Sequence, residues 1–441
     1  MILKHKRSRV LQSFNGIFVP MALQMLMYNV LSASDLIMLT YFESDSAAAS
    51  GYVSRFIFVA IVFLSALSTV SSMLGAQYFG SGKRKKMFAV HNTSLYIGLV
   101  ISALAFLINL FFSDQIWGTL VQDNDLLVNV QIYASYMVPS LIASAAILAF
   151  ESSLRIDEQA RAVSIIGGIS VVLNLVLNYL LIYDRPGFEG MGIEGAGIAT
   201  LIARISHFVL LLGYLFIKSG FRESVFDFYY DHHYGKNFVL TSANELIWLL
   251  TMLVYLVCIG VLPAASVLVF NYFNLFDSLV MSLYLSASIA SSIYLGGKIG
   301  SSQVNIVRVA ARLFEAWLFR ASLIFCMLAL AGYLSLAHFL PDVYQLGSLL
   351  ALVCILVLLL RSMVTFYIVG VLRAGLDSGY VFKVEFGVLV CFILPVLGYI
   401  YFFDMLTIAV IFAVMLIEEL LKLLIFKIRL RSADWLKSAL A

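Results

Sequence analysis

Long apolar runs broken by short polar loops make up almost the whole chain. A helix needs about 20 residues to cross a hydrocarbon core of about 30 Å. Twelve runs approach or exceed that length, at 14–41, 50–78, 90–112, 126–150, 163–183, 193–217, 237–260, 264–293, 312–337, 345–370, 381–402 and 406–427. No long polar domain interrupts them. The longest loop, 218–236, is charged and divides the runs six and six. The pattern predicts an all-α integral membrane protein with an N-terminal lobe at 1–217, a cytoplasmic linker at 218–236 and a C-terminal lobe with a cytoplasmic tail at 237–441.

Composition agrees. Of 441 residues, 62% are apolar and 12% charged, more apolar surface than a soluble fold of this size can hide. The net charge of +3 says little, but its distribution says more. Lys and Arg gather in alternate loops, as at Lys83–Lys86, Arg155, Lys298 and Lys422. The opposite loops hold Arg185 among acids such as Glu43, Asp45, Asp114 and Asp123. The positive-inside rule then puts both termini in the cytoplasm. The basic start, the apolar run after it and Ser32–Ser34 imitate a secretory signal, but the stretch is read here as the first crossing. Cys258, Cys326, Cys354 and Cys391 lie in apolar runs without a CxxC spacing and are expected to pack as thiols.

The halves echo each other. Gly80-Ser81 recurs as Gly300-Ser301, 220 residues later, and Leu154-Arg155 as Leu372-Arg373, 218 later. Six crossings return the chain to the same side, so these are parallel repeats, an arrangement that commonly encloses a site near mid-membrane.

Enzyme chemistry finds no support. There is no GxxxxGK[ST] loop for nucleotide phosphates. The GxGxxG within GMGIEGAG follows a membrane segment, where a dinucleotide fold needs a strand. His232-His233 has no partner at metal-ligand spacing. No catalytic residue, metal, cofactor or nucleic-acid partner is expected. A transporter of this kind would draw on an ion gradient.

Ionisable residues inside a membrane are costly and usually face an interior or a wet cavity. The candidates are Asp35, Arg55, Arg204, Glu245, Asp277, Arg320 and Arg361. Asp35 lies roughly 10 Å in from the outer end of its helix. Asn174 and Asn178, four apart, share a helical face in the outer half of the fifth crossing. Thr200, Tyr133 and Tyr136 enter from the outer ends of the sixth and fourth. These residues can meet at one level. Low-dielectric surroundings favour the neutral form of a carboxylic acid, so Asp35 suits proton exchange. Sodium would favour more charged oxygen ligands. The alternative is that Asp35 only ties helices together through Asn178. Pro20 removes a helical hydrogen bond and either bends the first helix or leaves a static kink.

With these residues in view, the chain resembles the MATE (multidrug and toxic compound extrusion) family. The resemblance rests on Pro20 and Asp35, LGAQYFGSGKRKK after the second run, LRIDEQ after the fourth, GMGIEGAGIATLIAR entering the sixth and LRAGLDSG after the tenth. It is nearest the DinF-like branch, whose N-lobe pocket centres on a helix-1 aspartate. The resemblance implies twelve transmembrane helices in two pseudo-symmetric six-helix bundles, with a V-shaped outline. It also implies cation-coupled export of amphipathic, often cationic compounds, a protein surrounded by lipid, acting as a monomer in the bacterial inner membrane. Pro20 matches the bending proline and Asp35 the coupling acid. Asn174, Asn178 and Tyr133 match pocket positions. Asn178 stands where some relatives carry a second carboxylate, which disfavours sodium. Thr200 lies a turn beyond the family threonine, where this chain has Ala196. Glu245 and Asp377 resemble the C-lobe acids of another branch, and Asp277 shares a face with Asn274 and Asn271. The alternatives are a sodium-coupled exporter and a lipid-linked oligosaccharide flippase of the same superfamily.

Overall fold

The computed structural model describes residues 2–184, 189–218, 227–229, 232–339, 347–432 and 434–440. Arg185, residues 219–226, 230 and 231 of the expected linker, and the side chain of His232 lie outside them.

Among the described residues the regular structure is all helical. Hydrocarbon offers no partner to a backbone N–H or C=O, and a helix satisfies both within itself. The helices are α1 (Ile2–Phe42), α2 (Ser44–Gly80), α3 (Arg84–Leu120), α4 (Asn124–Met137), α5 (Ser140–Ile156), α6 (Ala160–Ile182), α7 (Gly192–Lys218), α8 (His232–Gly260), α9 (Ala264–Gly300), α10 (Val304–Phe339), α11 (Gly347–Thr365), α12 (Ser378–Val388), α13 (Leu394–Phe402) and α14 (Ile408–Arg431). Ten helical segments among the described residues are long and apolar enough to cross a membrane. The other two expected crossings, 312–337 and 406–427, fall on α10 and α14.

Three expected crossings are interrupted. The fourth run breaks at Pro139 into α4 and α5, because a proline has no N–H to continue the helical ladder. The tenth widens into a π-helical stretch, Phe366–Leu372, after α11. The eleventh does so at Leu389–Ile393, just before Pro395 in the first turn of α13. Such wide turns absorb a lost or displaced hydrogen bond without ending the helix.

The chain forms two compact units, Val19–Phe238 and residues 1–18 together with Val239–Ala441. In the first unit α6 packs along α7, and α2 along α3 and α5. In the second, α9 packs on the Phe366–Leu372 turn and α11 on α14. The start of α1 belongs to this second unit. Phe14 is fully buried there, 4.6 Å between ring centroids from Phe314 and 5.3 Å from Trp317. The helix runs on without a break through Pro20.

The sequence echoes are backbone echoes. After α2, Ser81 N–H bonds Gln77 O and Lys83 N–H bonds Tyr78 O. After α9, Ser301 N–H bonds Gly297 O and Gln303 N–H bonds Lys298 O. The corner residue is left-handed in both, Gly82 at φ 79° and Ser302 at φ 59°. The second echo is as close. Gln159 N–H bonds Leu154 O, and Asp377 N–H bonds Leu372 O. Between them Glu158 and Leu376 sit at φ 63° and 56°.

A left-handed corner costs an L residue about 1–2 kcal/mol that glycine escapes. Ser302→Gly should therefore leave thermal stability equal or higher, whereas Gly82→Ala should lower it by about 1 kcal/mol. Thermal unfolding of the purified protein measures both, and a clear loss on Ser302→Gly would refute the account of that corner.

Candidate functional site

In the first unit, a chain of hydrogen bonds links α1, α6 and α7. Asp35 on α1 is half-buried. Asn178 on α6 donates from Nδ2 to Asp35 Oδ1 at 2.6 Å and to Asn174 Oδ1 at 3.0 Å. Asn174 donates in turn to Thr200 Oγ1 on α7 at 3.3 Å. Both asparagines are buried. Asn178 Oδ1 is also buried, with no hydrogen-bond partner among the described residues. Tyr133 on α4 is buried within range of the Asp35 charge, and the half-buried Arg204 on α7 is within range of it as well. Tyr136 turns to another partner and donates to Glu194 Oε1 at 2.7 Å.

Glycine shapes the frame at two points. Gly192 opens α7 at φ 55°, and a Cβ there would stand 2.4 Å from the Phe42 ring at the end of α1. Gly167 on α6 leaves room for Gln24 of α1, whose Nε2 would lie 2.6 Å from a Cβ at that position. Both keep α1 close to the helices that carry the site.

The other candidate acids are ion-paired. Glu245 receives Arg373 at 2.6 Å, and Asp277 receives Arg361 at 2.9 Å. Asp377 receives Arg429 at 2.9 Å and also Lys437. It precedes α12 without capping it through its side chain. Asn271 and Asn274 are exposed, while Asp277 turns to Arg361. Arg55 and Arg320 are exposed as well. Asp35 has no salt bridge among the described residues, alone among the four candidate carboxylates.

Residues 20–180 match the family described as MatE. The "Uncharacterized transporter YisQ" of Bacillus subtilis (strain 168) is 21% identical over 66% of this chain and 64% of its own length. The "Multidrug resistance protein NorM" of Vibrio parahaemolyticus is 28% identical over 40% of each. The chain thus spans less than two thirds of either curated relative. A crystal structure of a variant of the Vibrio cholerae MATE transporter VcmN superposes with a TM-score of 0.84 at 17% identity, covering 98% of this chain and 99% of that one.

The chain has the MATE fold. At 17% identity that likeness establishes the fold.

A second polar group of this MATE-fold chain escaped the sequence reading. Glu151 on α5 accepts from Gln24 Nε2 at 2.6 Å and from Arg155 Nη2 at 2.6 Å. Arg155 also reaches Gln24 Oε1 at 3.2 Å, and His207 Nε2 lies 3.4 Å from Glu151 Oε1. By sequence Arg155 reads as one of the loop cations. The signal was present in ESSLR, where an acid and a base four apart on a helix can pair. The second unit has an arginine at the echoed place, Arg373, 218 residues on, and it pairs across helices with Glu245 in α8, the helix that opens the C-terminal half.

Arg155→Met should destabilise the protein by roughly 3 kcal/mol, because it strands a buried carboxylate. Glu151→Gln, which keeps hydrogen-bonding capacity, should do less harm. Thermal unfolding in detergent tests this; equal stability of Arg155→Met and wild type would exclude a structural ion pair.

Proposed function

We propose that the chain is a secondary active exporter of the DinF-like MATE branch, exchanging protons for amphipathic, often cationic organic compounds, with Asp35 as the coupling acid. It would sit in a bacterial cytoplasmic membrane with both termini inside, acting as a monomer. The observation that carries this reading is the state of Asp35. It lies in a crossing helix, hydrogen-bonded to Asn178, and among the described residues it lacks the ion pair that the other candidate acids have. Among the described residues Arg204 stands within range of that charge without a salt bridge to it, which leaves room for a proton or a mobile cation to complete the compensation.

The neighbouring amides suit a proton. A carboxamide donates to a carboxylate, and on rotation accepts from a carboxylic acid. Asn178 donates to Asp35 now, and its buried Oδ1 holds unused acceptor capacity. Protonating Asp35 would reverse that bond and, through Asn174 and Thr200, the order of donors leading to α7. Substrate release would follow as α1 shifts against α6. Pro20 gives α1 a place to bend, since it donates no bond to the carbonyl of Gly16. Sodium would prefer more charged oxygens than one carboxylate among amides supplies.

The decisive experiment follows substrate-driven proton release from the full chain in liposomes, using a cationic dye as substrate. Wild type should release protons, and Asp35→Asn should fall to the level of empty liposomes while still folding. Equal release by both would reduce Asp35 to a helix tie. Glu245→Gln should retain coupling, because Glu245 is held by Arg373; loss there but not at Asp35 would move the coupling site to the second unit. Pro20→Ala should slow turnover without loss of folded protein, and unchanged turnover would make the proline a static feature.

A further inference from the structure

The second unit buries an ion network that the coupling site does not use. Arg361 on α11 donates to Asp277 Oδ2 on α9 at 2.9 Å and to Glu419 Oε1 on α14 at 3.0 Å. Lys422 on α14 donates to Glu385 Oε2 on α12 at 2.7 Å and to Glu418 Oε1 at 2.7 Å. Each base therefore sits between two acids. The two triads adjoin, because Glu418 and Glu419 are consecutive on α14. The side chains of Arg361, Lys422, Glu385, Glu418 and Glu419 are each 8% exposed or less, and that of Asp277 is 17% exposed.

Charge does not balance. Four carboxylates face two cations, so each triad carries one negative charge in excess when fully ionised. Unpaired charge in a low-dielectric interior is severely unfavourable. Two carboxyl groups that share a site commonly share a proton as well. The further charged or titratable partner contacting the network is Tyr255 on α8, whose hydroxyl donates to Glu418 Oε2 at 2.6 Å. It supplies a hydrogen bond and no positive charge. The group of acids does not form a metal cage, since no cluster of three or more His, Cys, Asp or Glu among the described residues has the geometry to hold a metal ion.

We propose that these two triads form a second proton-holding site, each binding one proton that neutralises its excess charge. In each triad the proton comes from the aqueous phase and converts one carboxylate to a neutral acid, leaving a balanced ion pair. The bonding pattern indicates where. In one triad the proton is shared by the Glu385 and Glu418 carboxyls on either side of Lys422, with Tyr255 donating to Glu418. In the other, Asp277 Oδ1 is buried with no hydrogen-bond partner among the described residues. The second proton is shared by the Asp277 and Glu419 carboxyls on either side of Arg361. The proposal goes beyond the exporter reading and does not depend on Asp35.

Infrared spectroscopy of the full chain in lipid at neutral pH tests it through the C=O stretch of neutral carboxylic acids. The measurement is made in the Asp35→Asn background, so that the coupling site contributes nothing. Absorption by neutral carboxyl groups should remain, and should weaken on adding Asp277→Asn and again on adding Glu385→Gln. Both variants mimic a protonated acid and should fold, with thermal stability at least equal to that of their parent. Absence of neutral-acid absorption would overturn the proposal. So would its absence together with stabilisation by sodium, which would assign a bound cation in place of protons. Failure of Asp277→Asn and Glu385→Gln to fold would also overturn it, because the negative charges would then be required.

Discussion

A charge placed in hydrocarbon has to be neutralised within reach of its own side chain, because no solvent arrives to do it. Most of the polar architecture of this chain follows from that constraint. Glu151 is met by Arg155 and Glu245 by Arg373. These pairs lock helices together and leave little freedom for a proton to act. Asp35 stands apart because its hydrogen bond comes from the Asn178 dipole, while Arg204 lies within range of its charge without a salt bridge to it among the described residues. An acid supported in that way can change state without stranding a partner.

The same constraint acts on the backbone. Pro139, Pro395 and the two π-helical stretches are departures from regular helix inside runs that look uniform in composition. Each departure puts carbonyl groups at risk of exposure to lipid. The Phe366–Leu372 stretch is almost wholly buried against α9, which shields it. A sequence reader sees the prolines and misses the wide turn at Phe366, because the local chain holds nothing that forbids a helix. Its cause lies in the packing.

Much of the fold was legible because lipid simplifies the code: length and hydropathy place crossings. At the candidate site, Asn174, Asn178 and Asp35 could be brought to one level from helical spacing alone, and Thr200 joined them. Tyr136 could not be resolved from Tyr133, since the choice depends on Glu194, distant in sequence and adjacent in space. Arg361 could not be paired for the same reason. Its partners sit on α9 and α14, 84 and 58 residues away. Helical spacing reports neighbours within one helix and says nothing about which helices meet.

The corners after α5 and after Leu372 hold Glu158 and Leu376, an acid and an aliphatic, in nearly the same left-handed conformation. Neither residue favours it. The flanking helices therefore impose the corner, and its occupant merely submits. Substitution at such a joint erases the letters of a duplication while leaving its torsion angles intact. Internal ancestry in chains of this kind should be sought in dihedral space, where two halves can still be read as copies after their residues no longer align.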